Sequence, residues 1–198
     1  MKLYYSPTSP YVRKVIACAL ACGTDSQIER LTTNPHEAPA GLLADNPLSR
    51  VPCLLTTDGL ALFDSPVICE YLDATGGGSL FPPPGPARWR ALKQQALGDG
   101  IMDAAVTNRG EIGRPPEAAR DAAVARNKAA IVRSLDYLES SVPAAHLDIG
   151  TITVACALGY LDLRFAADAW RDGRPKLAEW FKAMVQRPEI AQSAPPQS

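Results

Sequence analysis

The sequence has almost no net charge, only two histidines, and no unbroken apolar run of about 18 residues or more. Each shortage excludes something. Twenty basic residues stand against 21 acidic ones, a formal charge of −1, so nothing electrostatic draws the chain to nucleic acid or an anionic membrane surface. Without a long apolar run there is no transmembrane helix to expect. The N-terminus offers one lysine, then tyrosines, serines and prolines where a signal peptide needs an apolar stretch, so a cytoplasmic location is the expectation. The five cysteines, Cys18, Cys22, Cys53, Cys69 and Cys156, are odd in number and sit mostly among apolar residues, as reduced thiols do. Cys18 and Cys22 would share a helix face, but His36 and His146 lie far from them in sequence. No four-ligand spacing exists, and no metal is expected.

What is present suits a soluble globular protein, with 46% hydrophobic and 21% charged residues. The first 75 residues alternate strand and helix: Leu3–Tyr5 as strand, Pro10–Cys22 as helix, Gln27–Leu31 as strand, and a short helix near Ala40–Ala44. VPCLLTTDGLALFD reads as a hairpin, Val51–Thr56 and Leu60–Phe63, turning at Asp58-Gly59. Asp64 and Ser65 cap a helix expected over Pro66–Thr75. GGGSLFPPPGP, at 76–86, then interrupts both helix and strand, and its Leu80 and Phe81 suggest a linker held against the protein. Everything beyond reads as helical: Arg88–Asn108, Glu117–Ser140, a buried helix over Asp148–Ala167, and Pro175–Gln186. The expected division is 1–78, a linker at 79–86, and a helical domain at 87–198. Either Asp148 or Thr151 caps the buried helix.

One stretch raises a functional question. SPTSPYVRKV carries Ser9 as an N-cap and Pro10 at the first helical position, where the missing N–H costs little. A helix start gathers free N–H groups and positive partial charge, which suits an anion. The serine hydroxyl is therefore either a plain cap or a donor to something negative.

Three segments line up in order and spacing: SPYVRK at the first helix, NPLSRVPCL before the hairpin, and FDSPVICEYL at the third helix. With LFP in the linker and a helical second half, the chain resembles the cytosolic glutathione S-transferase family, and within it the bacterial members with serine at the start of the first helix. The resemblance implies an α/β plus all-α architecture: a thioredoxin-like N-terminal domain that binds glutathione, followed by an all-helical C-terminal domain. It implies that Val51-Pro52 is cis, which would leave the Val51 backbone to pair with the tripeptide. It implies that Asp64 and Ser65 hold the γ-glutamyl end, with Ser65 and the free N–H groups of its helix forming an anion site. Arg50 and His36 are candidates for the glycyl carboxylate. Asp99, with Asp103 one turn on, resembles an aspartate that reaches the partner's ligand across a homodimer. Tyr11, Met102, Val106 and Arg109 are candidates for the electrophile pocket.

The resemblance makes glutathione the cosubstrate and a small apolar electrophile the partner. Its thiol is mostly protonated at neutral pH, so the site's task is to stabilise the thiolate. Ser9 can donate one hydrogen bond to it. Ser6, Thr8, Tyr4 and Tyr5 are the alternatives. Family members that pass through a mixed disulfide carry cysteine where this chain has serine, so thiol conjugation is expected rather than thiol transfer. A non-catalytic binding or regulatory member of the same fold is the other reading.

Overall fold

The computed structural model describes residues 1–196. Among them the element order is β1 (Lys2–Tyr5), α1 (Pro10–Ala21), β2 (Glu29–Thr32), α2 (Ala40–Asp45), β3 (Cys53–Leu55), β4 (Ala61–Leu62), α3 (Ser65–Thr75), α4 (Pro86–Glu111), α5 (Ala118–Ser140), α6 (Ile149–Arg164), α7 (Pro175–Met184) and α8 (Pro188–Gln192). The expected α/β plus all-α architecture is what forms.

Two compact units result. The first spans Met1–Arg88 and takes back the described residues from Pro188 onward; the second is Trp89–Arg187. The return of α8 differs from the expected division, which assigned the whole chain after residue 86 to the helical half. Its cause is local: α8 packs on α1, Ile190 is fully buried, and the Arg13 guanidinium donates to the Ile190 carbonyl at 3.3 Å.

In the first unit a four-stranded sheet runs in the order β2-β1-β3-β4. β1 pairs parallel with β2 and antiparallel with β3, and β3 pairs antiparallel with β4. Side chains alternate between faces along a strand. Tyr4 and Cys53 are partners, and Tyr4 reaches Asp45 at the end of α2, so α2 covers their face. Leu3 and Leu54, also partners and fully buried, point the other way, the side left for α1 and α3, which pack on each other. The hairpin turns where Asp58-Gly59 predicted it: Gly59 has φ +88° and donates to Thr56, whose hydroxyl also contacts Asp58. The linker lies against this unit, as Leu80 and Phe81 suggested. Asp73 accepts from the Leu80 N–H at 2.8 Å and the Phe81 N–H at 3.2 Å, and Leu80 is buried.

The second unit is built on α6, buried over twelve of its residues. Two glycines let α6 and α4 approach. A methyl group on Gly98 would lie 2.8 Å from Thr153 Cγ2, and one on Gly150 would lie 2.6 Å from the Ala91 carbonyl oxygen. Such distances are too short for any side chain, so both contacts require glycine. The two candidate caps of α6 turn out to act together. Asp148 accepts from the Thr151 N–H at 2.8 Å, and Thr151 Oγ1 accepts from the Asp148 N–H at 2.9 Å, a reciprocal capping box.

Asp148→Ala and Thr151→Ala should each lower stability by about 1 kcal/mol, read from urea denaturation midpoints. The double variant should cost less than the sum, because each residue satisfies the other's backbone. Full additivity would mean the two bonds act independently.

Candidate functional site

Strand pairing decides where the segments singled out in the sequence emerge. Tyr5, the last residue of β1, lies beside Thr32, the last of β2, so Ser6–Ser9 and the 33–39 loop leave from the same end of the sheet. β3 runs against β1, with Cys53 opposite Tyr4, so Val51 and Pro52 enter at that end. β4 runs against β3, with Leu62 opposite Leu54, and two residues further the chain reaches Asp64 at the level of Pro52. The start of α1, the Val51-Pro52 pair, the start of α3 and the loop holding His36 therefore gather at one end of one sheet.

α1 begins as the sequence predicted. Ser9 is its N-cap, Pro10 its first residue, and Ser9 Oγ accepts from the Val12 N–H at 3.3 Å. Accepting that bond uses a lone pair and leaves the hydroxyl proton available to donate. The Ser9 N–H donates to the Ser6 carbonyl at 3.1 Å, which closes the turn between strand and helix. The tyrosine alternatives fare unequally. Tyr4 donates to Asp45 Oδ2 at 2.8 Å, and that bond, with burial and the Asp45 charge, pushes its phenol up to about 12. A hydroxyl committed in this way is a poor donor to a thiolate. Tyr5 and Ser6 are half-buried.

Val51-Pro52 is cis, as expected, and Phe63-Asp64 is cis as well. Pro52 is buried and Val51 half-buried. Among the described residues Val51 has no backbone hydrogen-bond partner for its N–H or its C=O. Asn46, which the sequence reading did not weigh, organises the approach to this pair. It is almost fully buried, and its side chain donates to the Arg50 carbonyl at 2.9 Å and accepts from the Leu48 N–H at 3.0 Å. Ser49, at φ +50°, donates from its hydroxyl to the Pro35 carbonyl at 3.2 Å and so ties this loop to the one bearing His36. Arg50 and His36, both exposed, therefore stand on adjoining loops. An Asn-Pro pair ahead of Val-Pro is the signal that could have flagged Asn46, since asparagine readily bonds backbone two to four residues on.

The start of α3 corrects one expectation. The helix begins at Ser65 rather than Pro66, with Asp64 in the N-cap position, and the Asp64 side chain makes no capping bond. Asp64 is exposed and Ser65 buried. The contrast with α1 matters: one helix start at this end of the sheet is capped by its own serine, the other keeps its first N–H groups uncapped. An uncapped start is where an incoming carboxylate gains most.

The remaining candidates divide between the units. Tyr11 is half-buried on α1. On α4, Asp99 is half-buried and Asp103 exposed, Met102 is fully buried, Val106 half-buried and Arg109 exposed. The second unit also holds a cavity of about 270 Å³ walled by Ile131, Leu135, Leu161 and Phe165 with Lys128 and Arg174; none of the expected site residues lines it. No group of three or more potential metal ligands occurs among the described residues.

Cys53, expected to be buried and inert, is fully buried, and burial with the nearby Asp45 charge pushes its thiol up to about 11. Cys22 is pushed up to about 12 by burial and by Asp73, whose Oδ1 lies 3.8 Å from its sulfur.

A family model described as "Glutathione S-transferase, N-terminal domain" matches residues 8–75, and one described as "Glutathione S-transferase, C-terminal domain" matches residues 121–183. The chain is 35% identical, over all of both chains, to the uncharacterized GST-like protein YibF of Escherichia coli K12. A glutathione transferase family member from Pseudomonas fluorescens Pf-5, crystallised with bound glutathione, is 40% identical over 99% of each chain and superposes with a TM-score of 0.92. A glutathione S-transferase from Methylobacillus flagellatus KT with glutathione bound is 32% identical over 98% of this chain and 99% of its own, with a TM-score of 0.87.

Both Cys22 and Cys53 should resist alkylation by iodoacetamide in the folded chain at pH 8, reacting freely only above about pH 10. The folded state holds these protons more tightly than the unfolded chain, where thiols titrate near the ordinary 9.0. Their contribution to stability is thus complete below pH 9 and is lost as pH rises toward 11–12. Cys22→Ala should flatten the alkaline decline, read as denaturation midpoint against pH.

Proposed function

This chain belongs to the glutathione S-transferase family, and on that premise we propose that it binds glutathione at the end of its sheet and activates the thiol for attack on a small apolar electrophile. The observation that carries the reading is the convergence of three complementary features at that end: a serine-capped helix start, an unpartnered Val51 backbone beside a cis-proline, and an uncapped helix start at Ser65. They match the three parts of the tripeptide. The γ-glutamyl carboxylate takes the free N–H groups of α3 with Ser65, and Asp64 faces the ammonium. The cysteinyl peptide pairs with Val51. The glycyl carboxylate draws on Arg50 and His36.

Sulfur then lies against the start of α1. Lowering a thiol pKa by two units requires about 2.7 kcal/mol, within reach of one charge-assisted hydrogen bond from Ser9 plus the helix end. The thiolate attacks the electrophile, and the thiol proton goes to solvent. Serine forms no mixed disulfide, which favours conjugation over thiol transfer. The Pseudomonas relative, at 39% identity, was also crystallised with S-(propanoic acid)-glutathione, a glutathione carrying its substituent on sulfur. In the helical unit Val106 and Arg109, with Met102 behind them, line the pocket for the electrophile, and Tyr11 is the candidate contact in the first unit. The protein acts in the cytoplasm as a homodimer in which Asp99 of each subunit reaches the glutathione of the other, and detoxification is the physiological class of such chemistry.

Titration calorimetry with glutathione should show binding in the millimolar range or tighter, and Ser65→Ala should weaken it several-fold. Ser9→Ala should lower kcat/KM with an aromatic halide by roughly 10- to 100-fold and move the pH profile upward by one to two units. Ser9→Thr, which keeps hydroxyl and cap, should restore most of it. Binding without turnover favours a regulatory role, and unchanged activity in Ser9→Ala moves the task to Ser6 or Tyr5.

A further inference from the structure

We propose that the electrophile carries a carboxylate, held in the helical unit by Arg109, Arg164 and the hydroxyl of Tyr160. This rests on the reading that Arg109 lines the electrophile's pocket, and it deepens that reading by naming the substrate class.

The cluster follows from how α4 and α6 pack. Ala91 and Gln94 meet Gly150, and Gly98 meets Thr153, so residue numbers rise together and the helices run parallel. Eleven residues beyond the Gly98–Thr153 contact come Arg109 on α4 and Arg164 on α6. Eleven residues are just over three full turns and about 16 Å of rise, so each arginine returns to the side of its helix that faced the other. Tyr160 precedes Arg164 by four and shares its face. Proximity of the three groups has a second sign: burial raises the Tyr160 phenol, and the charges of Arg164 and Arg109, with a hydrogen bond from Arg164, act against that rise.

The charge of the cluster is uncompensated. Among the described residues Arg90, Arg126 and Arg133 of the same unit also lack a carboxylate within 4.0 Å, and what distinguishes Arg109 and Arg164 is that both act on one buried phenol. Arg114, Arg120, Arg171 and Arg174 of the same unit each lie within 4.0 Å of a carboxylate. Among the described residues neither Arg109 nor Arg164 has such a partner. The Arg164 Nε is moreover buried without a hydrogen-bond partner. Two guanidiniums and a neutral phenol offer a set of donors and no acceptor charge, which is the complement of a carboxylate with its four lone-pair positions. Val106, one turn before Arg109 on α4, makes the adjoining surface apolar, and Met102, two turns before it, is buried beneath. The favoured substrate is thus an apolar electrophile with an acid group at one end.

Two probe pairs test this. For binding, 3,5-dinitrobenzoate is compared with 1,3-dinitrobenzene by calorimetry. For turnover, 4-chloro-3,5-dinitrobenzoate is compared with 1-chloro-2,4-dinitrobenzene; in each a C–S bond forms, the C–Cl bond breaks, chloride leaves and the thiol proton passes to solvent. The carboxylate should bind at least tenfold more tightly than the neutral probe, and Arg109→Gln and Arg164→Gln should each reduce the carboxylate-to-neutral ratio, in Kd and in kcat/KM, by about tenfold. Arg164→Lys, which keeps the charge, should retain part of the ratio and guards against loss by misfolding. Equal affinity for the two probes in the unmodified protein overturns the proposal, as does a ratio the arginine variants leave unchanged. A preference seen in binding but absent from kcat/KM also overturns it, because the cluster would then lie away from the reacting carbon. Failure of the transferase reading looks different: neither chloro compound is consumed and calorimetry with glutathione is flat.

Discussion

The pairing of β1 on both sides is the constraint from which the rest follows. β1 is only four residues long, yet it runs parallel to β2 and antiparallel to β3, and β3 in turn runs against β4. Directions fixed in this way send Ser9, Val51-Pro52, Asp64-Ser65 and the His36 loop to one end of the sheet, although they are spread over 57 positions of sequence from Ser9 to Ser65. A slip of one residue between β1 and β3 would exchange Leu54 for Cys53 on the face packed by α1 and α3 and move Val51 away from the start of α1. Burial of Leu3 and Leu54 is therefore also what sets the register of the site.

Two helices start at that end and are finished differently. α1 satisfies its own N-terminus through Ser9, and α3 leaves its N-terminus open. A capped start is the more stable, by about 1 kcal/mol for a serine. Leaving α3 uncapped is a small local cost that leaves its first N–H groups open, while the Ser9 cap still leaves a proton to donate. The same logic applies to Val51, whose peptide groups are kept out of the ladder by the proline that follows it. Stability is withheld at the positions where a peptide-like ligand would supply the missing bonds.

Much of this was legible in the residues. Ser-Pro at a helix start, Asp-Gly in a hairpin and Gly-Pro runs between domains act through backbone geometry within a few residues, so sequence alone reports them. The family resemblance placed Val51-Pro52 and Asp64-Ser65 as a set. What escaped depended on contacts distant in sequence. Tyr4 was a candidate activator until its bond to Asp45, 41 residues away, committed the hydroxyl. Asn46 read as part of a motif, and its role in holding the Arg50 carbonyl needed the loop's actual path. Asp148 and Thr151 were rivals in the sequence and partners in the structure, because a reciprocal box uses both. The return of α8 to α1 could not be read from its five residues, which carry no sign of what they pack against.

The helical unit shows why charge must be counted in space rather than in composition. A chain at −1 overall gives no hint of local imbalance. Yet Asp162 is used by Arg171 and the Trp170 indole, and Asp168 by Lys128, so the acids nearest in sequence to Arg164 are spoken for. Arg164 follows Asp162 by two positions, which on a helix points the two side chains to different faces. The carboxylate is thereby turned to the 166–174 turn and the guanidinium to the side of Tyr160. Burying part of a cation without a counter-charge is unfavourable in a lone protein and becomes favourable when an anion arrives. The close glycine contacts at Gly98 and Gly150 then acquire a second consequence: they set the separation of α4 and α6, and with it the spacing at which Arg109 and Arg164 can share one carboxylate.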